Sequence, residues 1–452
     1  MDRPGDRQLA WYALLAACAV VFRSELGILF NGTGHSNVTW STWLPMAGVV
    51  AVFVRPHDLR ALLVLYVGVL LDLANILPES PNHWLLTGLV GISWCVAAMH
   101  ARVRGGRLPT GGALLRAVQP PFRVAIAAFY LCTGVWKLNG AFADPAISCG
   151  VRSWDRLVTQ LPFLPSGPAI DTAVIGLTWV LELVGPVLLL VPVTRRPMVA
   201  IFALFHVVLA LDIVQNYQNF SWAMLPLLLL FFEPEEIDAA ARSWRADALL
   251  PVLRRGTALY FCGLVLLAWI APEAWTNLRW TCSLTLASAV GVAFVALARR
   301  GALPRTPVRT SPAAWLLLAL VVLNAATPVL GVKNRNAWQM YSNVRIEPEV
   351  TNHWFLPRSL DILGLQADRV EVLSIGDPLL RAEYVGSGLT LTWWDFRSLL
   401  AHYPETDVSW RRDGFVHTAR SRDPDLAPPA RLARMFVWFR PQGERVARQC
   451  QW

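Results

Sequence analysis

The chain has 452 residues, of which 55% are hydrophobic and only 16% are charged. A soluble globular protein has about 25% charged residues, so this composition excludes an ordinary soluble enzyme, and it excludes a disordered chain still more firmly. The net charge is +9, from 40 Lys and Arg against 31 Asp and Glu. Because the basic residues follow the topological pattern described below, we expect no nucleic-acid partner.

Long apolar stretches occupy most of the first three quarters of the chain. In order, they cover residues 9–30, 43–54, 61–77, 84–100, 122–138, 170–193, 197–214, 220–232, 257–271, 280–298 and 313–331. A straight transmembrane helix needs about 20 residues, and the stretches at 43–54 and 220–232 are the shortest. The first stretch is interpreted as a retained span and not as a cleaved signal peptide. We predict a polytopic α-helical membrane protein with about 9–11 transmembrane helices in a domain over residues 9–331.

Arginine is distributed unevenly between the loops that separate these stretches. Nineteen arginines lie in the N-terminal segment and in alternate loops, whereas only Arg152, Arg156 and Arg279 lie in the other loops. Positive charge marks the cytoplasmic side of membrane proteins. We therefore predict a multi-pass protein of the cell (plasma) membrane with a cytoplasmic N-terminus and an extracytoplasmic C-terminal region.

That C-terminal region, residues 332–452, has a different pattern. Short apolar runs alternate with polar residues and are separated by Gly, Pro and Asp, which is typical of strands and turns. The runs lie at 369–375, 389–394, 408–411 and 435–439. We predict an extracytoplasmic β-rich domain that follows the last transmembrane helix.

Seven cysteines are present, and five of them lie inside apolar stretches, where small core residues are expected. The other two, Cys149 and Cys450, fall in polar segments on the predicted outer side. A disulfide between them is one interpretation. The chain has no CxxC and no Cys/His spacing typical of a metal site, and we expect none.

Ionisable side chains deep in a transmembrane helix cost about 3 kcal/mol or more and usually have a function. In the predicted topology, those of this chain fall in the middle and outer half of the membrane. This placement indicates one pocket that opens to the outer side or to the outer leaflet. The candidates within or at the ends of the stretches are Arg23, Glu25, Asp72, Asn82, His83, Lys137, Glu182, His206 and Asp212.

Lys137 is the most informative of these residues. It is the only lysine before Lys333, and arginine occupies the other cationic positions. A desolvated lysine can lose its proton, whereas arginine stays charged, so Lys137 is a candidate general base. The alternative is that its amine extends to the membrane interface from a helix end.

The other polar residues also have structural interpretations. His83 is compatible with an interfacial position. Arg23 is compatible with an ion pair to Glu25 or Glu182 that holds helices together. His206 is a candidate member of a buried polar network.

Several short motifs resemble the vitamin K-dependent gamma-carboxylase-like proteins, also called the horizontally transferred transmembrane (HTTM) family. The resemblance covers residues 10–415 and depends on the order and spacing of the motifs together. The matching segments are Phe22-Arg23-Ser-Glu-Leu-Gly27, Asn82-His83-Trp84, Tyr130-Leu-Cys-Thr-Gly134-Val-Trp-Lys137-Leu-Asn-Gly140, Glu182, Leu204-Phe205-His206, Trp338-Gln-Met-Tyr-Ser-Asn343 and Thr351-Asn352-His353-Trp354.

The resemblance implies an integral membrane enzyme that uses a reduced quinone, O2 and CO2. In the carboxylases, the lysine that matches Lys137 deprotonates reduced vitamin K, and the histidine that matches His83 is associated with the quinone head group. The implied cofactor is a vitamin K-type hydroquinone (menaquinol). The implied partners are membrane lipid and a protein or peptide substrate on the outer side. The remaining residues of the implied quinone and substrate pocket are Asn82, Arg23, Glu182 and His206.

Other functions stay open. The chain has no match to the large region of the vertebrate carboxylase that binds the substrate propeptide, so quinol oxidation without carboxylation is an alternative. A second alternative is a non-catalytic membrane scaffold or lipid/quinone-binding protein, for which Lys137→Arg would preserve function. A transporter is disfavoured, because no inverted repeat and no recurring pair of broken helices is apparent.

Overall fold

The structure is a computed structural model that describes residues 5–23, 41, 43–212, 217–244, 255, 256, 259, 263, 270, 272–300, 310–403, 405–448 and 450. Most of these residues are helical. The helices of the first three quarters are α1 Asp6–Arg23, α2 Trp43–Val54, α3 Leu59–Ile76, α4 Asn82–Gly105, α5 Gly111–Trp136, α6 Gly140–Ala143, α7 Cys149–Gln160, α8 Pro168–Leu190, α9 Arg195–Ala210, α10 Tyr217–Leu229, α11 Pro234–Ser243, α12 Pro272–Ala298 and α13 Leu316–Leu330, the last preceded by a short 3₁₀ turn.

Five segments of the described chain are helical, long and apolar enough to cross a membrane, which indicates a multi-pass membrane protein. They are Leu59–Ile76, Asn82–Gly105, Pro168–Leu190, Trp280–Ala298 and Pro312–Leu330. Helices α2, α9 and α10 also form at predicted stretches, but their 12, 16 and 13 residues are fewer than a straight span needs. Residues 24–30 of the first stretch, and 257–271 apart from three positions, lie outside the described residues.

The chain divides into two compact units, each described separately below. The first comprises Met1–Ile76, His83–Ala128 and Val184–Val321, and the second comprises Leu77–Asn82, Phe129–Leu183 and Val322–Trp452. The C-terminal region therefore shares its unit with segments from the earlier part of the chain. The predicted domain boundary between residues 331 and 332 stays a prediction.

In the first unit, α2 and α3 form a close helical hairpin. A Cβ atom at Gly48 would lie 2.3 Å from the Cα of Leu65, so only glycine allows the two backbones to lie this close. Helix α1 packs on α10, and α9 packs on both α10 and α12.

The same unit brings together segments that the arginine pattern places on one side of the membrane. Arg123 and Arg195 both bind Glu233 Oε1, at 2.9 and 3.3 Å. Four segments that are all predicted to be cytoplasmic, the N-terminal segment and three loops, therefore meet around the start of α11. Further ion pairs in this cluster join Arg7 to Asp238, Arg116 to Glu235 and Arg196 to Glu236.

The second unit contains a four-stranded antiparallel sheet in the order β2–β1–β3–β4. Val370, Val372 and Ile375 of β1 pack with Val408 and Trp410 of β3 into a hydrophobic core. Because the register shifts between Val372 and Ser374, Ile375 is buried like Val370 and Val372 despite its odd spacing. The strands are β1 Arg369–Ile375, β2 Leu391–Thr392, β3 Asp407–Arg412 and β4 Phe415–Arg420, and the short helices of this region are α14 Pro378–Tyr384, α15 Trp393–Leu400 and α16 Arg431–Arg434.

Two of the four predicted strands are confirmed, at 369–375 and 408–411. The prediction at 389–394 is wrong in part, because Thr392 caps α15 by accepting a hydrogen bond from Asp395 N, and the chain turns into a helix there. The prediction at 435–439 is wrong. Those residues form a turn followed by chain without regular secondary structure, and Phe439 N donates to the Asp395 carboxylate instead.

Candidate functional site

Lys137 and Glu182 form a buried ion pair in the second unit. Lys137 Nζ lies 2.6 Å from Glu182 Oε2, and it also donates to the carbonyl oxygen of Thr133 at 3.4 Å. The two residues are only 6% and 8% exposed. Because they are 45 positions apart, the pair forms only when α8 and the end of α5 pack in one register.

Glu182 lies in an irregular part of α8. Residues Val180–Val184 form a π-helical turn, in which each backbone hydrogen bond spans five residues and not four. Pro186 lies four residues after Glu182 and has no N–H group, so the Glu182 carbonyl cannot receive the usual α-helical bond. The proline therefore explains the wider turn, and such turns are frequent at functional sites.

Gly134 allows α5 to approach this turn. A Cβ atom at position 134 would lie 2.8 Å from both the carbonyl carbon and the oxygen of Glu182. A larger residue would therefore push the two segments apart. Lys137 follows three residues later, on the same side of the chain. This explains the Gly-x-x-Lys motif: the glycine allows the two segments to lie close together, and the lysine can then reach Glu182.

His353 attaches the C-terminal region to the end of α5. Its Nε2 lies 2.8 Å from the carbonyl oxygen of Val135, and its Nδ1 accepts hydrogen bonds from the N–H groups of Phe355 and Leu356. Burial lowers the pKa of His353, and the bond to Val135 opposes this only in part. The ring is thus held as the neutral tautomer with the proton on Nε2. In the sequence, His353 stands out only as part of the motif Thr351-Asn352-His353-Trp354, which by itself indicates no role for its ring.

Two further contacts enclose the backbone at Lys137. Trp179 Nε1 donates to the Lys137 carbonyl at 3.0 Å, and Trp354 N donates to the carbonyl of Leu138 at 3.0 Å. The rings of Trp179 and Trp354 lie 5.6 Å apart. Lysine, glutamate and two indoles therefore converge within one unit.

Asn82 has a structural partner in the same unit. Its Oδ1 accepts a hydrogen bond from Trp338 N at 3.3 Å. Trp338 belongs to a segment with an unusual backbone, in which Asn336, Trp338, Tyr341 and Asn343 all have φ between 52° and 61°. Left-handed conformations of residues other than glycine are uncommon and persist only where surrounding contacts hold them. Asn82 is one of these contacts.

Arg23 lies in the first unit, and its ion pair is with Asp72, at 3.1 Å. Asp72 also accepts hydrogen bonds from Trp84 Nε1 and Ser41 Oγ, both at 3.0 Å. The Arg23 guanidinium stacks on Trp84, 3.7 Å from the ring centroid. The arginine therefore takes part in a buried network, and the proposed partner Glu25 lies outside the described residues.

The two candidate histidines of the first unit have different surroundings. His83 Nε2 is buried and has no hydrogen-bond partner among the described residues. His206 is fully buried and packs against the rings of Phe205 and Phe220, at 5.4 and 5.1 Å between centroids.

Cys149 and Cys450, the pair considered from sequence, form a disulfide in the structure. Asn343 supports it, because its Oδ1 accepts from Cys149 N and its Nδ2 donates to the carbonyls of Ile147 and Ala447. The disulfide thus ties the C-terminus to the start of α7.

The second lysine, Lys333, follows α13, and burial lowers its pKa to about 8. The position of Lys333, three residues after an apolar helix, is the sequence signal for a desolvated amine.

No family model, no curated protein and no solved structure matches this chain. The site is therefore defined by its own geometry. The structure joins Lys137 to Glu182, Arg23 to Asp72, and Asn82 to the left-handed segment.

Proposed function

We propose that this protein is an integral membrane enzyme that oxidises a lipid-soluble hydroquinone, as the resemblance to vitamin K-dependent gamma-carboxylases implies. In this proposal Lys137 is the base and Glu182 accepts the proton that the lysine gives up. The observation that carries the proposal is the buried Lys137–Glu182 hydrogen bond of 2.6 Å at a π-helical turn.

The pair can transfer a proton without separating charge. An ammonium and a carboxylate in hydrogen-bond contact become a neutral amine and a neutral acid when one proton moves from Nζ to Oε2. The neutral amine can then accept a proton from a bound hydroxyl group, which Lys137 in its charged form cannot do. Arginine at position 137 would keep its charge and lose this capacity.

The proposed cofactor is a vitamin K-type hydroquinone (menaquinol), for which the resemblance assigns His83 to the quinone head group and Asn82, Arg23, Glu182 and His206 to the quinone and substrate pocket. His83 Nε2 is buried and without a partner among the described residues, which is compatible with that role. Asn82 and Arg23 already bind protein groups, so they would position their surroundings. A bound hydroquinone would supply the electrons for reduction of O2, the chemistry from which the resemblance derives the strong base for carboxylation of a glutamyl side chain.

The remaining parts of the proposal concern placement. The 9–11 transmembrane helices would lie in the plasma membrane with the N-terminus in the cytoplasm, and the region 332–452 would face the outer side. A protein or peptide substrate would then approach from that side. The ion-paired arginine segments around α11 support this arrangement, since all of them belong to loops assigned to the cytoplasm.

The experiment is an assay of the purified full chain in lipid nanodiscs with reduced menaquinone and O2, with and without CO2 and a glutamyl peptide. Mass spectrometry measures the quinone epoxide and the carboxylated peptide. Wild-type protein should form the epoxide, and both Lys137→Ala and Lys137→Arg should abolish it. Lys333→Arg is the matched control and should retain activity. Normal turnover in Lys137→Arg would refute Lys137 as the base.

A non-catalytic lipid/quinone-binding scaffold is the second candidate, and a specific observation favours it. Lys137, Arg23 and Asn82 each bind another protein group, as expected for residues that hold helices together. In this case Lys137→Arg would preserve the folded state, and no epoxide would form with the wild-type protein.

A further inference from the structure

A short segment of the second unit exposes an unusual number of large apolar side chains. Trp354, Phe355, Leu360, Ile362 and Leu363 are between 49% and 76% exposed, although they lie within ten residues of one another. The segment contains neither helix nor strand. Clustered apolar side chains on a surface indicate a site that contacts a protein, a ligand or a membrane.

The segment is attached to two helices that are long and apolar enough to cross a membrane. Leu360 N and Ile362 N donate to the carbonyls of Val329 and Leu330, at 2.8 and 3.0 Å. These carbonyls belong to the last turn of the helical segment that ends at Leu330, where backbone acceptors have no helical partner. The apolar side chains are therefore held at a helix end.

The second attachment is at Trp354, whose ring lies 5.6 Å from that of Trp179 in the middle of Pro168–Leu190. The exposed side of that helix is itself apolar, with Leu177 and Val180 each more than half exposed. The segment therefore continues an apolar surface that a membrane-crossing helix already presents.

The charged groups of the segment are arranged to suit a bilayer. Both carboxylate oxygens of Asp361 accept hydrogen bonds from the backbone N–H groups of residues 365–367, at 2.9 to 3.1 Å. The one other charged residue of this segment, Arg358, is exposed and suits a lipid phosphate. An apolar patch with a satisfied acid and an exposed arginine is typical of an interfacial membrane contact.

We propose that residues 354–363 form a lipid-inserting collar whose partner is the acyl-chain region of the leaflet on this side of the membrane. The collar adjoins the Lys137 end of α5, since Trp354 N binds the Leu138 carbonyl. Lipid insertion by this segment requires only that the helices lie in a membrane. It does not depend on the quinone chemistry, so either proposal can fail without the other.

The test uses the full chain in phosphatidylcholine vesicles that contain a lipid with a diazirine in its acyl chain. After irradiation, peptide mass spectrometry locates the labelled residues. Labelling of 354–363 should exceed that of Leu379 and Phe415 at least tenfold, although these two controls are 63% and 71% exposed. Equal or lower labelling of the collar would overturn the proposal.

A pair of matched variants tests the mechanism of insertion. Leu360→Asp should reduce labelling of the collar several-fold, whereas Leu379→Asp, at an equally exposed position of the same region, should leave it unchanged. Equal effects of the two substitutions would contradict insertion through this segment. If a second copy of the chain covers the segment instead, the collar is protected from the lipid label, which also overturns the proposal. Should Leu360→Asp fail to fold, the wild-type labelling still decides.

Discussion

Substituting Gly134 by alanine tests the close packing that brings Lys137 to Glu182. The added Cβ would lie 2.8 Å from the Glu182 carbonyl carbon and oxygen, whereas carbon atoms in contact prefer about 3.5–4.0 Å. Because these two atoms belong to the backbone, the two helical segments must separate by several tenths of an ångström. The Lys137–Glu182 hydrogen bond must then lengthen or break.

The magnitude follows from two opposing effects. Alanine is a better helix former than glycine by about 1 kcal/mol, but overpacking a close contact costs about 1–3 kcal/mol. Gly176, in α8, isolates the first effect, because a Cβ there has no atom within 4 Å and overpacks nothing. Gly176→Ala should therefore stabilise the protein by about 1 kcal/mol. Gly134→Ala should be about 1–3 kcal/mol less stable than Gly176→Ala.

The free energy of unfolding can be measured on the full chain in mixed micelles by titration with SDS, followed by tryptophan fluorescence. The same comparison should show lower epoxide formation in Gly134→Ala alone. Equal free energies for the two variants would refute the packing argument, and with it the explanation of the Gly-x-x-Lys motif.

Three further predictions concern the second unit. Lys137→Met and Glu182→Gln should each lower the free energy of unfolding by about 3–5 kcal/mol, because each leaves a buried charge without its partner; the double variant should lose less than either, and additive losses in the SDS titration would contradict the pairing. Burial raises the pKa of Asp395 to about 7, so the folded state keeps a proton that the unfolded chain loses above about pH 4, and stability should fall by about 1.4 kcal/mol per unit as the pH rises from 4 to 7. Asp395→Asn should flatten that dependence, and an unchanged pH profile would refute the assignment. Replacing Cys149 and Cys450 by alanine should cost about 2–4 kcal/mol, since the disulfide closes a loop of 301 residues; reduction of the wild type by dithiothreitol should reproduce the loss, and no loss in either would contradict a structural role.

Helices were predictable because an apolar stretch leaves few alternatives once the chain is in lipid. The strands were less predictable. Residues 369–372 alternate and begin β1, but 389–392 also alternate and the chain then enters α15, because the Thr392 side chain caps a helix. An alternating pattern predicts a strand, and it does not show that one of its residues can instead cap a helix that begins just after it.

The sequence indicates which residues belong to the site, but not which of them form ion pairs. It makes Lys137 and Glu182 both candidates, yet it suggests Arg23 as a partner of Glu182, because nothing local relates positions 137 and 182. Their contact depends on Gly134, on Pro186 and on the packing of α5 against α8. The left-handed segment around Trp338 could not be predicted either, since its backbone is held by distant residues such as Asn82.

The central claim is that a hydroquinone binds at the Lys137–Glu182 pair. Because the chain contains only two lysines, selective ¹⁵N-lysine labelling gives two side-chain signals in an NMR spectrum, and Lys333→Arg assigns them. Under anaerobic conditions, a vitamin K-type hydroquinone added to the protein in nanodiscs should shift the Lys137 Nζ signal and leave that of Lys333 unchanged. An unshifted Lys137 signal at saturating hydroquinone, or equal shifts of both signals, would contradict the claim.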